Sequence, residues 1–453
     1  MKNSLLRIFY FITLNILFLS NLYSQKLDSP LNGIWAGNLP LPEENQILMF
    51  LNIKNSEFLL SVPAQEVEKM KMDKKEISNN EFELSIFDIL MKCKYQDNSI
   101  YVNYEQNNFS ESFVLTKISD DSDNIVREQG KREKDINVQL FNIENDKFKI
   151  EAEHININKN SPTFIILEGT NITDNQNTYN QGFYGHNLSL AISNYLAKNR
   201  FNTIRIINVE NKKTMPYSIH QKIQHYKMLV DYFKEKNKGN YILLGHSEGG
   251  IVADLLADDS RLLGKVILSA PVESITNSIL FQTNNRLQFA DFPQDYKSTL
   301  ANMNTDFFNQ VKLLDLSKSP ELLSKELKEN FKDYKYYNVS EHNYNIIMEE
   351  YSNMLQSPFY ISCFKTDLEL KEVLIKKPTL FIYGDKDYLV NSKTNIEYLK
   401  SLNSPKISVK EFNSMSHSLQ RCEDCTLDEA FFLQETINAE VLKYIIDWVK
   451  NIK

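Results

Sequence analysis

The amino-acid sequence predicts an α/β fold: a mostly parallel sheet with helices on both faces, an inserted helical cap and a small N-terminal all-β domain. Three observations predict it. From residue 136 onward, short apolar runs alternate with segments whose apolar residues recur at helical spacing. Between about 275 and 372 that alternation stops, and helical signals appear without a convincing core strand. Ahead of both, residues 25–118 carry short strand-like runs separated by Asn-, Glu- and Lys-rich stretches. A chain of 453 residues has room for all three parts, and at 42% hydrophobic it can bury a sizeable core. The net charge of −8 gives no electrostatic pull toward nucleic acid or an anionic membrane.

In chain order, Lys2 and Arg7 precede an apolar run from Ile8 to Ser20, and Tyr23-Ser24 offers a small residue before Gln25. The run is shorter than the ~20 residues of a spanning helix, so residues 1–24 are expected to be a cleaved signal peptide. No cysteine precedes Cys93, which leaves no lipoprotein attachment site. The mature protein is expected to be exported, periplasmic or extracellular, without stable membrane insertion. Gly33-Ile-Trp35-Ala-Gly37 opens the β-domain, with further runs at Ile47–Ile53, Phe58–Val62, Ile100–Tyr104 and Phe113–Leu115. Residues 119–135 are highly charged and read as a linker.

Residues 136–453 form the expected catalytic domain. Val138–Phe141 and Phe148–Ala152 flank Asn145-Asp146 like a hairpin. Strands follow at Thr163–Leu167, Thr203–Ile207, Tyr241–Leu244, Val266–Ser269, Leu380–Tyr383 and Ile407–Phe412. Helical faces lie between them, and Ile437, Val441, Tyr444, Ile445 and Trp448 mark a closing helix. Within the inserted interval, Ser319-Pro320-Glu321 reads as a helix start. Aromatics make up 15 of its 98 residues, enough to pack its own helices with a few left to line a pocket.

The chemistry centres on Tyr241-Ile-Leu-Leu-Gly245-His246-Ser247-Glu248-Gly249-Gly250-Ile251. A serine hydroxyl is a poor nucleophile unless it is held clear of the backbone and given a base. A sharp strand-to-helix turn does the first, and side chains at Gly245 and Gly249 would obstruct it. A buried strand precedes the motif and an amphipathic helix follows it. In a nucleophile elbow of this kind the acid follows the serine and the histidine comes last. Of seven histidines, only His417 lies beyond the last candidate acid strand; His342, inside the insert, is the alternative. His246 adjoins the serine and is expected to point elsewhere. The acid is expected from Gly384-Asp385-Lys-Asp387, with Asp387 preferred because Asp385 suits the tight turn. Two backbone N–H donors are expected to form an oxyanion hole, one at Glu248 and one at Thr170 after the strand Thr163–Leu167.

These residues resemble the exported α/β-hydrolases grouped as prolyl-oligopeptidase-like or dienelactone-hydrolase-like proteins. Gly-His-Ser-Glu-Gly-Gly at 245–250 is similar to that group's elbow. Ser357-Pro-Phe-Tyr360 with Asp367, then Lys377-Pro378 and Gly384-Asp-Lys-Asp387, resembles its approach to the catalytic acid. His417-Ser-Leu-Gln420 with Glu435-Thr-Ile437 and Trp448 resembles its C-terminal end, and Leu31–Gly37 the start of the small β-domain many members carry. The resemblance implies the α/β-hydrolase fold, with Asp387 and His417 as partners of Ser247. It departs at Glu168-Gly-Thr-Asn171, usually a Gly- and Ser-rich loop, and at Asn208–Lys213, which replaces an Asp-Arg-Gly-type loop.

The expected function is therefore a serine hydrolase acting on small carboxylic esters through a Ser-Asp-His triad and an acyl-enzyme, with no metal or organic cofactor. A peptidase or amidase on the same triad and a non-catalytic binding protein are the alternatives, and a thioesterase stays open. Cys422-Glu-Asp-Cys425 has no second Cys/His pair near it, which favours a local disulfide or two spare thiols over a zinc site.

Overall fold

The computed structural model describes residues 30–452 apart from 42–45, 63–66, 79, 108, 121–126, 170–185, 213–216, 238, 257–258, 288–291, 333–335, 337–338, 371–374, 426–428 and 430–432. The expected leader at 1–24 and the expected donor Thr170 lie outside the described residues. The chain divides into two compact units, 1–126 and 127–453.

The first unit is a closed antiparallel barrel. Its strands are β1 (Gly33–Pro40), β2 (Gln46–Lys54), β3 (Glu57–Val62), β4 (Val67–Glu76), β5 (Glu81–Ile86), β6 (Ile89–Gln96), β7 (Ser99–Gln106) and β8 (Phe109–Ser119). Each pairs with the next, and β1 pairs with β8 to close the ring. Two-residue turns at Asn55-Ser56 and Asp97-Asn98 take left-handed φ at both positions, as tight hairpins require. Trp35, Leu51, Leu60, Leu84, Met91 and Ile100 fill the interior, and Trp35 Nε1 donates to the Leu31 carbonyl at 2.7 Å. Three strands, β4 to β6, run through the stretches that look like polar spacers in the sequence. Their charges line the outer face: Lys71 reaches Glu57 at 2.9 Å and Lys75 reaches Glu83 at 3.0 Å, while Met72 and Phe82 point in.

The second unit is built on an eight-stranded sheet. Its strands are β9 (Gln139–Glu144), β10 (Phe148–Ile155), β11 (Thr163–Leu167), β12 (Asn202–Asn211), β13 (Tyr241–His246), β14 (Leu262–Leu268), β15 (Thr379–Gly384) and β16 (Ile407–Phe412). The order is β16-β15-β14-β13-β11-β12-β10-β9, with antiparallel pairing only where β10 meets β9 and β12. Helices α1 (Leu188–Lys198) and α2 (Ile219–Lys236) follow β11 and β12, and α3 (Glu248–Leu255) follows β13. Alternation along β13 shows why its run is continuously apolar. Tyr241 and Leu243 join the layer that holds Tyr226, Leu229 and Phe233 of α2, whereas Ile242 and Leu244 join the layer on the opposite face.

Among the described residues five helices lie between β14 and β15: α4 (Ile275–Arg286), α5 (Gln294–Val311), α6 (Pro320–Phe331), α7 (Glu341–Gln356) and α8 (Pro358–Leu370). Ser319 caps α6 with Pro320 in its first turn. The aromatics of this insert build its own core, as in the stacked Phe307–Tyr351 pair at 4.1 Å. Asp367 on α8 ties the insert's end to its start, accepting from Ile275 N at 2.6 Å and Ser274 Oγ at 2.9 Å. After β15 come α9 (Ser392–Ser401), β16 and α10 (Ala439–Asn451). Among the described residues no helix is long and apolar enough to cross a membrane. Strands β11 to β16 run parallel, so Leu167, His246, Leu268, Gly384 and Phe412 end on one edge of the sheet. Open α/β sheets bind their ligands at that edge.

Candidate active site

Ser247 sits between β13 and α3 with φ 53° and ψ −124°, a strained conformation for a residue with a side chain. Its amide donates to Leu268 O at 2.8 Å, and its carbonyl accepts from Gly250 N at 2.9 Å, so the turn is fixed on both sides. The glycines are a steric requirement. A Cβ on Gly245 would lie 2.3 Å from Gly249 O, and one on Gly249 would lie 2.2 Å from Leu167 O.

Asp387 follows β15 and is buried. Its Oδ1 accepts from Leu389 N and Val390 N, both at 2.9 Å, and its Oδ2 accepts from His417 Nδ1 at 2.8 Å. Asp385 is exposed and serves the turn, its amide donating to Phe412 O at 3.0 Å. His417 lies in the loop after β16, where Ser416 N donates to Gln420 O at 3.0 Å and Gln420 Nε2 donates to Glu435 O at 2.7 Å. His342 is exposed on α7. His246 is not a bystander: its Nε2 lies 3.0 Å from the His417 carbonyl, with the ring centroids 4.9 Å apart. Burial, with His417 beside it, holds the His246 pKa down at about 3, so the ring is neutral and donates to that carbonyl.

Gly169, two residues beyond β11, lies against the serine. A Cβ on Gly169 would lie 3.0 Å from Ser247 Cβ. The Glu168 amide donates to Tyr226 Oη at 2.8 Å, and Lys222 Nζ donates to the Gly169 carbonyl. The same Lys222 Nζ lies 3.0 Å from Glu248 Oε2, and both residues are buried. Tyr217 Oη also donates to Glu248 Oε2, at 2.7 Å. One lysine therefore grips the loop on one side of Ser247 and the side chain of the residue on its other side. Replacing Lys222 with methionine is expected to lower kcat about 10²-fold with little change in KM, the size seen when an oxyanion donor is lost. The same change takes the counter-charge from a buried carboxylate, so the double variant with Glu248→Gln should regain melting temperature without regaining kcat. Steady-state kinetics and thermal melts check both parts.

The Glu168 carboxyl is pushed up to about 8 by burial, against the lowering pull of Arg205 and Lys222. Ser189 Oγ donates to it, and Arg205 Nη1 lies 4.0 Å away. Between its ordinary 4.5 and about 8, the native state keeps a proton that the unfolded chain has released. Stability contributed by this group is thus full below about 4.5, falls as pH rises to about 8 and is level beyond. Melting temperatures from pH 4.5 to 8.5 are expected to fall more steeply for the native protein than for Glu168→Gln; parallel curves would refute the assignment.

Among the described residues, Cys422, Cys425 and Glu429 are the group with metal-ligand proximity. The two cysteines form a disulfide, and Glu429 accepts backbone N–H bonds from Glu423, Asp424 and Cys425 at 2.6 to 2.8 Å, so these atoms are engaged without an ion. Cys93 and Cys363 are free and buried.

A family described as serine aminopeptidase, S33 matches residues 210–423. No curated protein matches the chain. Among solved structures, an esterase from Pyrococcus furiosus is similar at 14% identity and TM-score 0.41, covering 73% of this chain and 98% of that one. A thermophilic esterase from Thermogutta terrifontis is similar at 14% identity and TM-score 0.34, covering 69% and 99%. A monoacylglycerol lipase from Paleococcus ferrophilus is similar at 14% identity and TM-score 0.36, covering 70% and 100%.

Proposed function

We propose that this chain is an α/β-hydrolase that hydrolyses carboxylic esters with Ser247 as nucleophile, His417 as base and Asp387 as the orienting acid, a reading supported by the family match over residues 210–423. The observation that carries this reading is the 2.8 Å contact between Asp387 Oδ2 and His417 Nδ1, at the strand edge where Ser247 is held in its strained turn. With Nδ1–H committed to Asp387, His417 Nε2 is the lone pair that removes the Ser247 proton as Oγ attacks the carbonyl carbon. The Glu248 N–H, with a donor from the loop after Gly169, stabilises the oxyanion. His417 then protonates the leaving alcohol, and water attacks the acyl-enzyme by the same proton path.

The inserted helices α4–α8 leave the sheet at this edge, and the Tyr217 ring that bonds Glu248 stacks on Phe359 of α8 at 5.5 Å. That contact supports reading the insert as a cap over the acyl site. The basic and apolar character of residues 2–20 supports an exported location.

The second reading is an aminopeptidase, favoured by the description of the matching family. Such an enzyme needs a carboxylate for the substrate's ammonium group. Near the elbow, the Glu248 carboxylate is bound by Lys222 and Tyr217, and Glu168 retains its proton to about pH 8, which favours the ester. The test compares p-nitrophenyl acyl esters with aminoacyl p-nitroanilides and locates a fluorophosphonate adduct by mass spectrometry. Faster anilide turnover would overturn the ester reading, and a folded protein that takes no label at Ser247 would overturn the nucleophile.

A further inference from the structure

The barrel of the first unit holds a cavity of about 680 Å³ at one end, within the 300–1,000 Å³ range of small-ligand sites. We propose that this barrel mouth binds a single-chain amphiphile with an uncharged hydroxyl, ester or amide head, apart from anything that happens at Ser247. Eight strands enclose a space that side chains can fill or that can hold one small ligand. Here the interior does both. Around Trp35, Leu51 and Leu84 it is packed, but toward the ends of β1, β3 and β7 and the starts of β2, β6 and β8 the packing opens.

The lining is two-sided. Leu39, Met49 and Val62 make a buried apolar floor, and Leu41, Ile47, Ile89 and Phe109 form a half-buried wall. Against it stands one polar chain. Tyr104 Oη donates to Gln106 Oε1 at 2.7 Å, Gln106 Nε2 donates to Asp88 at 3.3 Å, and Asn107 Nδ2 donates to Asp88 at 2.7 Å. Asp88 supplies the charge in this chain, and it is negative. A carboxylate or phosphate head brought to this rim would meet it as a like charge, whereas a neutral head can exchange hydrogen bonds with Gln106 and Tyr104. Residue 87, immediately before Asp88 in the β5–β6 turn, is a phenylalanine at left-handed φ 50° and 91% exposed. An aromatic ring left in water beside an apolar opening gives an incoming alkyl chain a first contact.

The inference does not depend on ester hydrolysis, and its test keeps the two apart by using the full chain with Ser247→Ala, so that nothing is turned over. N-phenyl-1-naphthylamine, which fluoresces in apolar surroundings, is titrated into the protein and displaced with 1-decanol or with decanoate. The expected result is one saturable site from which 1-decanol displaces the probe at least about tenfold better than decanoate. Ile47→Trp, which fills the mouth, and Ile89→Asp, which puts a charge on its wall, should each weaken both probe and 1-decanol about tenfold or more at unchanged melting temperature. They sit on different strands, so the failure of one to fold leaves the other to decide. Folded variants that bind as the parent does would overturn the barrel as the site. Equal displacement by decanoate would overturn the uncharged-head assignment. Loss of esterase activity in Ser247→Ala with probe binding intact is the pattern expected when both readings hold.

Discussion

Ser247→Ala is expected to lower kcat on p-nitrophenyl esters by about 10⁶-fold, the scale at which removing a triad nucleophile leaves only binding and oxyanion stabilisation. It should do so without lowering the melting temperature. The strain at φ 53° comes from a residue with a Cβ in the left-handed region, and alanine keeps that Cβ. Among the described residues the Ser247 hydroxyl makes no hydrogen bond, so its loss orphans nothing there. Gly245→Ala gives the contrast. Its new methyl would press on Gly249 O at 2.3 Å, so activity should fall together with stability as the turn is forced open. Steady-state rates and thermal melts on both variants separate the two causes. A Ser247→Ala protein that keeps more than about 1% of native kcat would remove the serine from the chemistry.

The parts of this arrangement that can be read from the sequence are the local ones. Thr163–Leu167 and Ile407–Phe412 are strands with those bounds in the structure, because burial on one or both faces leaves runs that stop where the strand stops. The elbow is legible for the same reason: Gly245, Ser247 and Gly249 satisfy a steric demand within five residues. His417 is named by chain order and Asp387 by its place after a buried strand with Asp385 left to the tight turn, and the 2.8 Å contact between them is a fact of the structure. What stays hidden depends on partners far along the chain. Lys222 belongs to an amphipathic helix, where a lysine ordinarily reads as a solvent-facing residue; only Glu248 and the Gly169 carbonyl, brought in by other elements, make its burial intelligible. His246 could not be given its contact because the His417 carbonyl arrives from 171 residues away. Gly250 carries a signal of its own: a Cβ there would lie 2.5 Å from Ala270 Cβ, so the second glycine of the pair brings α3 close against the segment after β14. In the barrel, β4 to β6 hide in Lys- and Glu-rich segments because a small barrel buries one face only, and half of each strand must be polar.

Asp387→Asn should cost about 10⁴-fold in kcat while leaving KM and melting temperature near their native values. Asparagine can keep Oδ1 as acceptor for Leu389 N and Val390 N, which hold this side chain in place at 2.9 Å each. Its amide nitrogen would then occupy the position of Oδ2 and present a donor to His417 Nδ1. A neutral imidazole facing a donor must accept there, which moves its own proton to Nε2, the atom that should be receiving the proton of Ser247. The ring is thus held in place with the wrong tautomer. Asp387→Ala tests the same residue from the other side. It removes the acceptor for two N–H groups as well as the partner of His417, so it should lose stability by about 1–3 kcal/mol for each donor left buried without a partner. A role in orienting the proton predicts that Asn is as inactive as Ala yet as stable as the native protein. A role in packing alone predicts that Asn remains active, and that result would remove Asp387 from the triad.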